Sequence, residues 1–141
     1  MRILAFATIA ALSGPALADG HASGDAAAGE TAFARQCVAC HVIVNDAGDT
    51  LAGRNARTGP NLYNIDASTI GAADFRYSDA LLALGEAGET WTEENFVGYV
   101  QDPTAWLREA LDDRRARGKM AFRVRSAEDA ADIYAYIASL D

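Results

Sequence analysis

Five consecutive residues, Cys37-Val38-Ala39-Cys40-His41, restrict this chain more than any other segment. Two thiols three positions apart, with an imidazole adjoining the second, form the covalent attachment signature of a c-type haem. The spacing has a chemical reason. On one helical turn both thiols can add to the vinyl groups of a single porphyrin, and the imidazole then projects onto the iron from the same side. His41 is therefore expected as a neutral ligand to iron, with its other N–H held by a neighbouring carbonyl. Two other chemistries use paired cysteines. A redox dithiol needs C-x-x-C but gives no reason for the following histidine, and no βαβ pattern surrounds it here. Zinc needs further ligands, and the one other donor of that type is His21, in a stretch of small residues.

The beginning of the chain reads as a targeting segment. Met1-Arg2 is followed by the apolar run from Ile3 to Leu12, then Ser13-Gly14-Pro15 and the small-x-small triplet Ala16-Leu17-Ala18. That order predicts a cleaved signal peptide over residues 1–18, cut after Ala18, and export to the periplasm. A membrane anchor is the rival, but a span needs about 20 apolar residues and this run is shorter. Residues 19–24 are expected as a flexible tail and residues 25–141 as one domain. Of the 141 residues half are apolar, enough for one core, and 12 Lys and Arg face 20 Asp and Glu, a net charge of −8. That balance excludes a uniformly basic face for nucleic acid.

Iron held on one side by His41 leaves a second axial position. Once Met1 departs with the signal peptide, Met120 is the single methionine left. A thioether is a soft neutral donor, and Met/His ligation raises the reduction potential. Taken alone, a lone methionine reads as core filler; the upstream Cys40-His41 turns the reading towards a ligand.

Periodicity predicts helices joined by loops. Asp25 can cap a helix that runs towards Cys40, with Gly29, Phe33 and Cys37 spaced by four. Ser126-Ala127-Glu128-Asp129 resembles a capping box with Asp in the last place, and it opens a helix with Ile133, Tyr136, Ile137 and Leu140 on one stripe. Between them, Ser78 can start a helix over Asp79–Leu84 that stops at Gly85. Thr92 can start another ending near Gln101, and Asp102-Pro103 can launch a third over Thr104–Leu111. No alternating run is long enough for a sheet, so the fold class is all-α with long loops.

Three motifs in order carry a family resemblance: Cys37-Val38-Ala39-Cys40-His41, Thr58-Gly59-Pro60-Asn61-Leu62 and Gly118-Lys119-Met120-Ala121-Phe122. With the stretch from Trp91 to Pro103 between them, the chain resembles class I c-type cytochromes, in particular the larger bacterial periplasmic relatives of mitochondrial cytochrome c. The likeness spans roughly residues 25–140. It implies a cytochrome c fold, in which N- and C-terminal helices cross and short helices and long loops wrap one covalently bound haem c. It also implies that Gly29 and Phe33 meet Ile133 and Tyr136 at that crossing, as packing and not chemistry. Cys37 and Cys40 become the thioether links, and His41 and Met120 the metal ligands. Pro60 supplies the carbonyl for the His41 ring, Tyr77 and Trp91 lie towards a haem propionate, and Tyr99 lies near the Met-side ligand. Phe75 and Trp106 are expected as plain core aromatics. The chain departs from the family where Tyr63-Asn64-Ile65-Asp66 replaces a Gly-Arg pair, and where Gly118 stands in place of a common Thr.

The function so implied is a soluble periplasmic one-electron carrier, not an enzyme, working between respiratory or photosynthetic complexes. The alternative is a haem enzyme or ligand sensor with an open sixth iron position. From Arg108 to Arg125 seven basic residues face three acidic ones, on a chain that is otherwise acidic. This basic segment is expected to steer redox partner proteins to the haem edge, with peripheral contact to membrane complexes. A monomer is expected. Lys119 is the only lysine in the chain, and the resemblance implies that a lysine in this loop replaces the methionine at high pH.

Overall fold

The computed structural model describes residues 22–140. The signal segment, its cleavage site, and the first half of the expected tail, His21 included, lie outside the described residues. Five helices follow in chain order: α1 (Ala26–Gln36), α2 (Asp79–Glu86), α3 (Glu93–Gln101), α4 (Pro103–Ala110) and α5 (Ala127–Ala138). Each starts where a short polar side chain can accept from the free amides of a first helical turn. Asp25 accepts from Ala27 and Ala28, Ser78 from Leu81, Thr92 from Asn95, Asp102 from Ala105 and Ser126 from Asp129. Asp129 does more than follow its cap: its carboxylate accepts from Nε2 of Gln36 at 2.7 Å, joining α5 to α1.

Helices α1 and α5 cross at Gly29. A Cβ there would stand 1.9 Å from the carbonyl oxygen of Asp132, so only glycine lets the two backbones come this close. Four residues on, the Phe33 ring lies 5.7 Å from that of Tyr136, and Phe33, Ile133 and Ile137 are all but inaccessible. Ala22–Gly24, assigned above to a tail, rest on this framework. Ser23 N donates to Glu93 at 2.6 Å, and a Cβ at Gly24 would meet the backbone of Ala131.

Two details differ from expectation. Helix α2 runs through Gly85 and stops at Glu86, ahead of Gly88, whose φ is +86°. Gly85 is required for another reason: a Cβ would lie 2.1 Å from the carbonyl oxygen of Ile70. The loop after His41 also carries a small antiparallel ribbon, β1 (Ile43–Val44) with β2 (Thr50–Ala52). At two and three residues these strands are too short to show an alternating pattern.

The haem cavity

Helix α1 ends at Gln36, and the Cys37 amide still donates to the Phe33 carbonyl at 2.9 Å. The chain then makes one more turn, in which the amides of Cys40 and His41 both donate to the Cys37 carbonyl, at 3.0 and 2.9 Å. Both thiols and the imidazole thereby face one cavity of about 630 Å³ with mostly apolar walls. Burial pushes the Cys37 thiol up to about 12, with Cys40 adding to the shift. That is opposite to a redox dithiol, which works through a lowered thiol pKa.

A second strand of chain presses on the His41 ring. The Gly59 amide donates to the Cys40 carbonyl at 2.8 Å and the Leu62 amide to Val42 at 3.0 Å. Asn61 fixes the register, accepting from Val44 N at 2.9 Å and donating to its carbonyl at 2.7 Å. In consequence Nδ1 of His41 lies 2.9 Å from the Pro60 carbonyl. A carbonyl can only accept, so Nδ1 carries the proton and Nε2 keeps its lone pair. Burial holds the His41 pKa below its ordinary value, against the Pro60 bond, which favours the charged ring. The ring is a neutral imidazole, as a ligand must be.

Met120 lies on the same cavity, on a loop seated by α4. A Cβ at Gly118 would be 3.2 Å from Cδ1 of Leu107, and the Ala116 carbonyl accepts from Nε of Arg108 at 3.1 Å. Tyr77, Trp91 and Tyr99 also line the cavity. Burial raises both phenols, that of Tyr99 to about 12 with Tyr77 contributing. Phe75 departs from expectation: it is on the cavity wall, its ring edge-on to Tyr77 at 5.2 Å. Phe75 and Tyr77 sit on successive tight turns, the Phe75 amide donating to the Ala73 carbonyl at 2.8 Å and the Tyr77 amide to the Phe75 carbonyl at 3.1 Å, so no regular alternation in the sequence marks Phe75 as a wall residue. Trp106 stands behind the wall, as expected of a core aromatic.

The basic segment is divided. Arg108 is turned to Ala116, and Arg123 pairs with Asp102 at 3.1 Å. Arg114, Arg115, Arg117 and Arg125 are exposed. Among the described residues, the two charged side chains that line the cavity are Arg35 and Lys119, both cationic. Arg35 lies outside the basic segment. Lys119 Nζ donates to the Arg76 carbonyl at 2.7 Å, across to the loop before α2.

These residues fit a haem. The cavity offers two thiols, an imidazole with a free nitrogen lone pair, a thioether, apolar walls and cations suited to carboxylates. A family model described as Cytochrome c matches residues 26–141. The chain belongs to the cytochrome c family. It is 59% identical over 119 residues to cytochrome c2 of Rhodovulum adriaticum, covering 84% of this chain and 94% of that one. To cytochrome c2 of Cereibacter sphaeroides it is 49% identical over 139 residues, covering 96% and 93%. A solved structure of cytochrome c2 from Rhodobacter sphaeroides superposes with a TM-score of 0.80 at 48% identity, covering 84% of this chain and 97% of that one. As a cytochrome c the protein carries one covalently bound haem c with its iron, and it is an electron carrier. This favours the carrier over the open-iron enzyme or sensor.

Proposed function

We propose that Cys37 and Cys40 are the thioether links, His41 and Met120 the axial ligands, and Pro60, Tyr77, Trp91 and Tyr99 the supporting contacts of the haem. The observation that carries this reading is the His41–Pro60 bond, which leaves Nε2 as the free donor of a ring on the same cavity as Met120. When bound, the haem supplies an iron that takes up or releases one electron. The chain's own residues set the conditions. Pro60 and Gly59 fix the imidazole plane, the Met120 thioether favours the ferrous state, and the apolar walls exclude water, so little reorganises around the exchange. With His41 and Met120 both holding the iron, no position would remain on it for a substrate, which suits a carrier and not an enzyme.

The place of work is the periplasm, after removal of residues 1–18 from a domain that begins at residue 25 and acts as a monomer. No described helix is long and apolar enough to cross a membrane. Redox partners with acidic patches dock where the cavity opens. Arg35, Lys119 and the exposed Phe122 line that cavity, and Arg114, Arg115, Arg117 and Arg125 are exposed on the segment that carries Met120. Peripheral contact with membrane complexes follows from the same surface.

Two measurements test the assignment. Haem should stay with the wild type after acid-acetone treatment and be lost from C37A/C40A. M120A should keep its attached haem, bind added azide or imidazole, and show a lower potential. An unchanged ferric spectrum and potential in M120A would reduce Met120 to wall filler.

A further inference from the structure

Three consecutive residues of α4 touch three different parts of the site. Trp106 stacks on Trp91, with ring centroids 6.2 Å apart and planes at 21°, and stands edge-on to Tyr99 at 5.7 Å and 84°. Trp91 and Tyr99 are themselves 5.3 Å apart, so the rings form a closed triangle with two members on the cavity and one behind. Leu107 is the contact under Gly118, and Arg108 holds the Ala116 carbonyl. The Cδ1–Nε1 edge of the Trp106 indole also comes against α3 at Gly98, where a Cβ would stand 2.7 Å from its Cδ1 and 2.9 Å from its Nε1. Gly98 immediately precedes Tyr99, so the space left for the indole and the direction of the tyrosine are set at one point of α3.

We propose that Trp106 is a positioning residue for the haem: it holds Trp91 and Tyr99 in orientation on the cavity wall, and α4 couples that orientation to the loop carrying Met120. Trp106 touches neither the cavity nor the reacting atoms, so it acts through other residues. The polar ends of Trp91 and Tyr99 are dipoles near a group whose charge changes by one. Turning them alters the relative stability of the two oxidation states without removing a ligand. The proposal rests on the assignment of Met120, Trp91 and Tyr99 to the haem.

The test uses holoprotein variants W106A, W106F and G98A, with I137A as a control at a buried α5 residue that does not line the cavity. The readouts are the reduction potential, the long-wavelength ferric band of the sulfur–iron bond, and the ring resonances of Tyr99 and Trp91. W106A should shift the equilibrium between oxidised and reduced protein by about twofold to tenfold, the span of one aromatic pair's interaction energy, and should move both sets of resonances. G98A should displace the indole and shift the equilibrium in the same direction, whereas W106F, which keeps a ring in place, should stay close to wild type. I137A should lose stability with no change in potential. Potentials of W106A and G98A equal to that of I137A, or W106F shifting as far as W106A, would overturn the proposal. If W106A does not mature, G98A against W106F decides by the same criteria. Failure of the Met120 assignment would show instead in the wild type's own ferric spectrum.

Discussion

The Pro60 carbonyl stands 2.9 Å from Nδ1 of His41, and the neighbouring Gly59 lies so close beneath the ring that a Cβ would come within 2.3 Å of Cε1. One residue orients the imidazole; the other leaves it room. Gly59→Ala should therefore tilt the ring and break the Pro60 bond. The expected result is a changed ferric spectrum and a loss of about 1–3 kcal/mol, the usual cost of overpacking, read by denaturant unfolding.

At the crossing of α1 and α5, Gly29→Ala places a methyl 1.9 Å from a backbone oxygen that no rotamer can move. It should destabilise the protein more than an alanine at an exposed helix position such as Thr31. Phe33→Ala, which empties the adjoining contact, should cost about 3–5 kcal/mol. Neither should alter the haem spectrum of the fraction that folds.

Tyr134 supplies a pH dependence from behind the cavity wall, its ring 5.3 Å from that of Phe96. Its hydroxyl donates to the Asp66 carboxylate, and burial, together with that bond, raises the phenol above its ordinary value near 10. The stability it contributes is fully present below about pH 10 and is lost as pH rises through the raised pKa. Tyr134→Phe should be less stable by about 1–3 kcal/mol at pH 7, from the lost bond to a charged acceptor. It should also show a shallower decline above pH 10, measured by urea unfolding across that range.

Lys119→Ala removes the bond to the Arg76 carbonyl and the only lysine of the chain. A ferric pH titration should show the Met120 ligand lost at lower pH than in the wild type, because the loop is no longer tied across the cavity. It should also show no lysine-bound alkaline species by magnetic resonance. The same high-pH species in both proteins would assign Lys119 to the charged rim alone.

Arg114 and Arg117 are exposed. Their reversal to Glu should slow association with an acidic redox partner while leaving the potential unchanged. The wild-type rate should fall with added salt, since charges are screened over about 10 Å at 0.1 M. Stopped-flow kinetics across a salt series measures both effects.

Helix starts were legible because a cap is local: Asp25, Ser78, Thr92, Asp102 and Ser126 each bond within three residues. Gly85 misled because its cause lies elsewhere, in an Ile70 carbonyl that comes to α2 from 15 residues away. The same holds for charge. Counting placed Arg108 and Arg123 on the basic segment, but only the fold shows that one is tied to Ala116 and the other to Asp102, and that Arg35 joins the cavity. Cys37, Cys40, His41 and Met120 could be singled out because each is rare in this chain and the chemistry needs that atom type, and the fold brings all four to one cavity. The wall position of Phe75 depends on how a loop lies, which residue identity alone does not express.

The Cys37–His41 turn extends directly from α1, whose partner α5 lies at the other end of the domain. No intermediate stretch of chain can substitute for that partner, since the close approach at Gly29 requires the backbone of Asp132. While the protein is being made, the attachment motif therefore emerges long before α5 exists to anchor the helix from which it extends. The segment that carries the two thiols is then without the partner that packs against α1, and the cavity wall is still without Ile133, its one residue from α5. A chain that ends before Ala127 would carry the motif and nearly all of the cavity wall, and would lack the helix on which α1 rests.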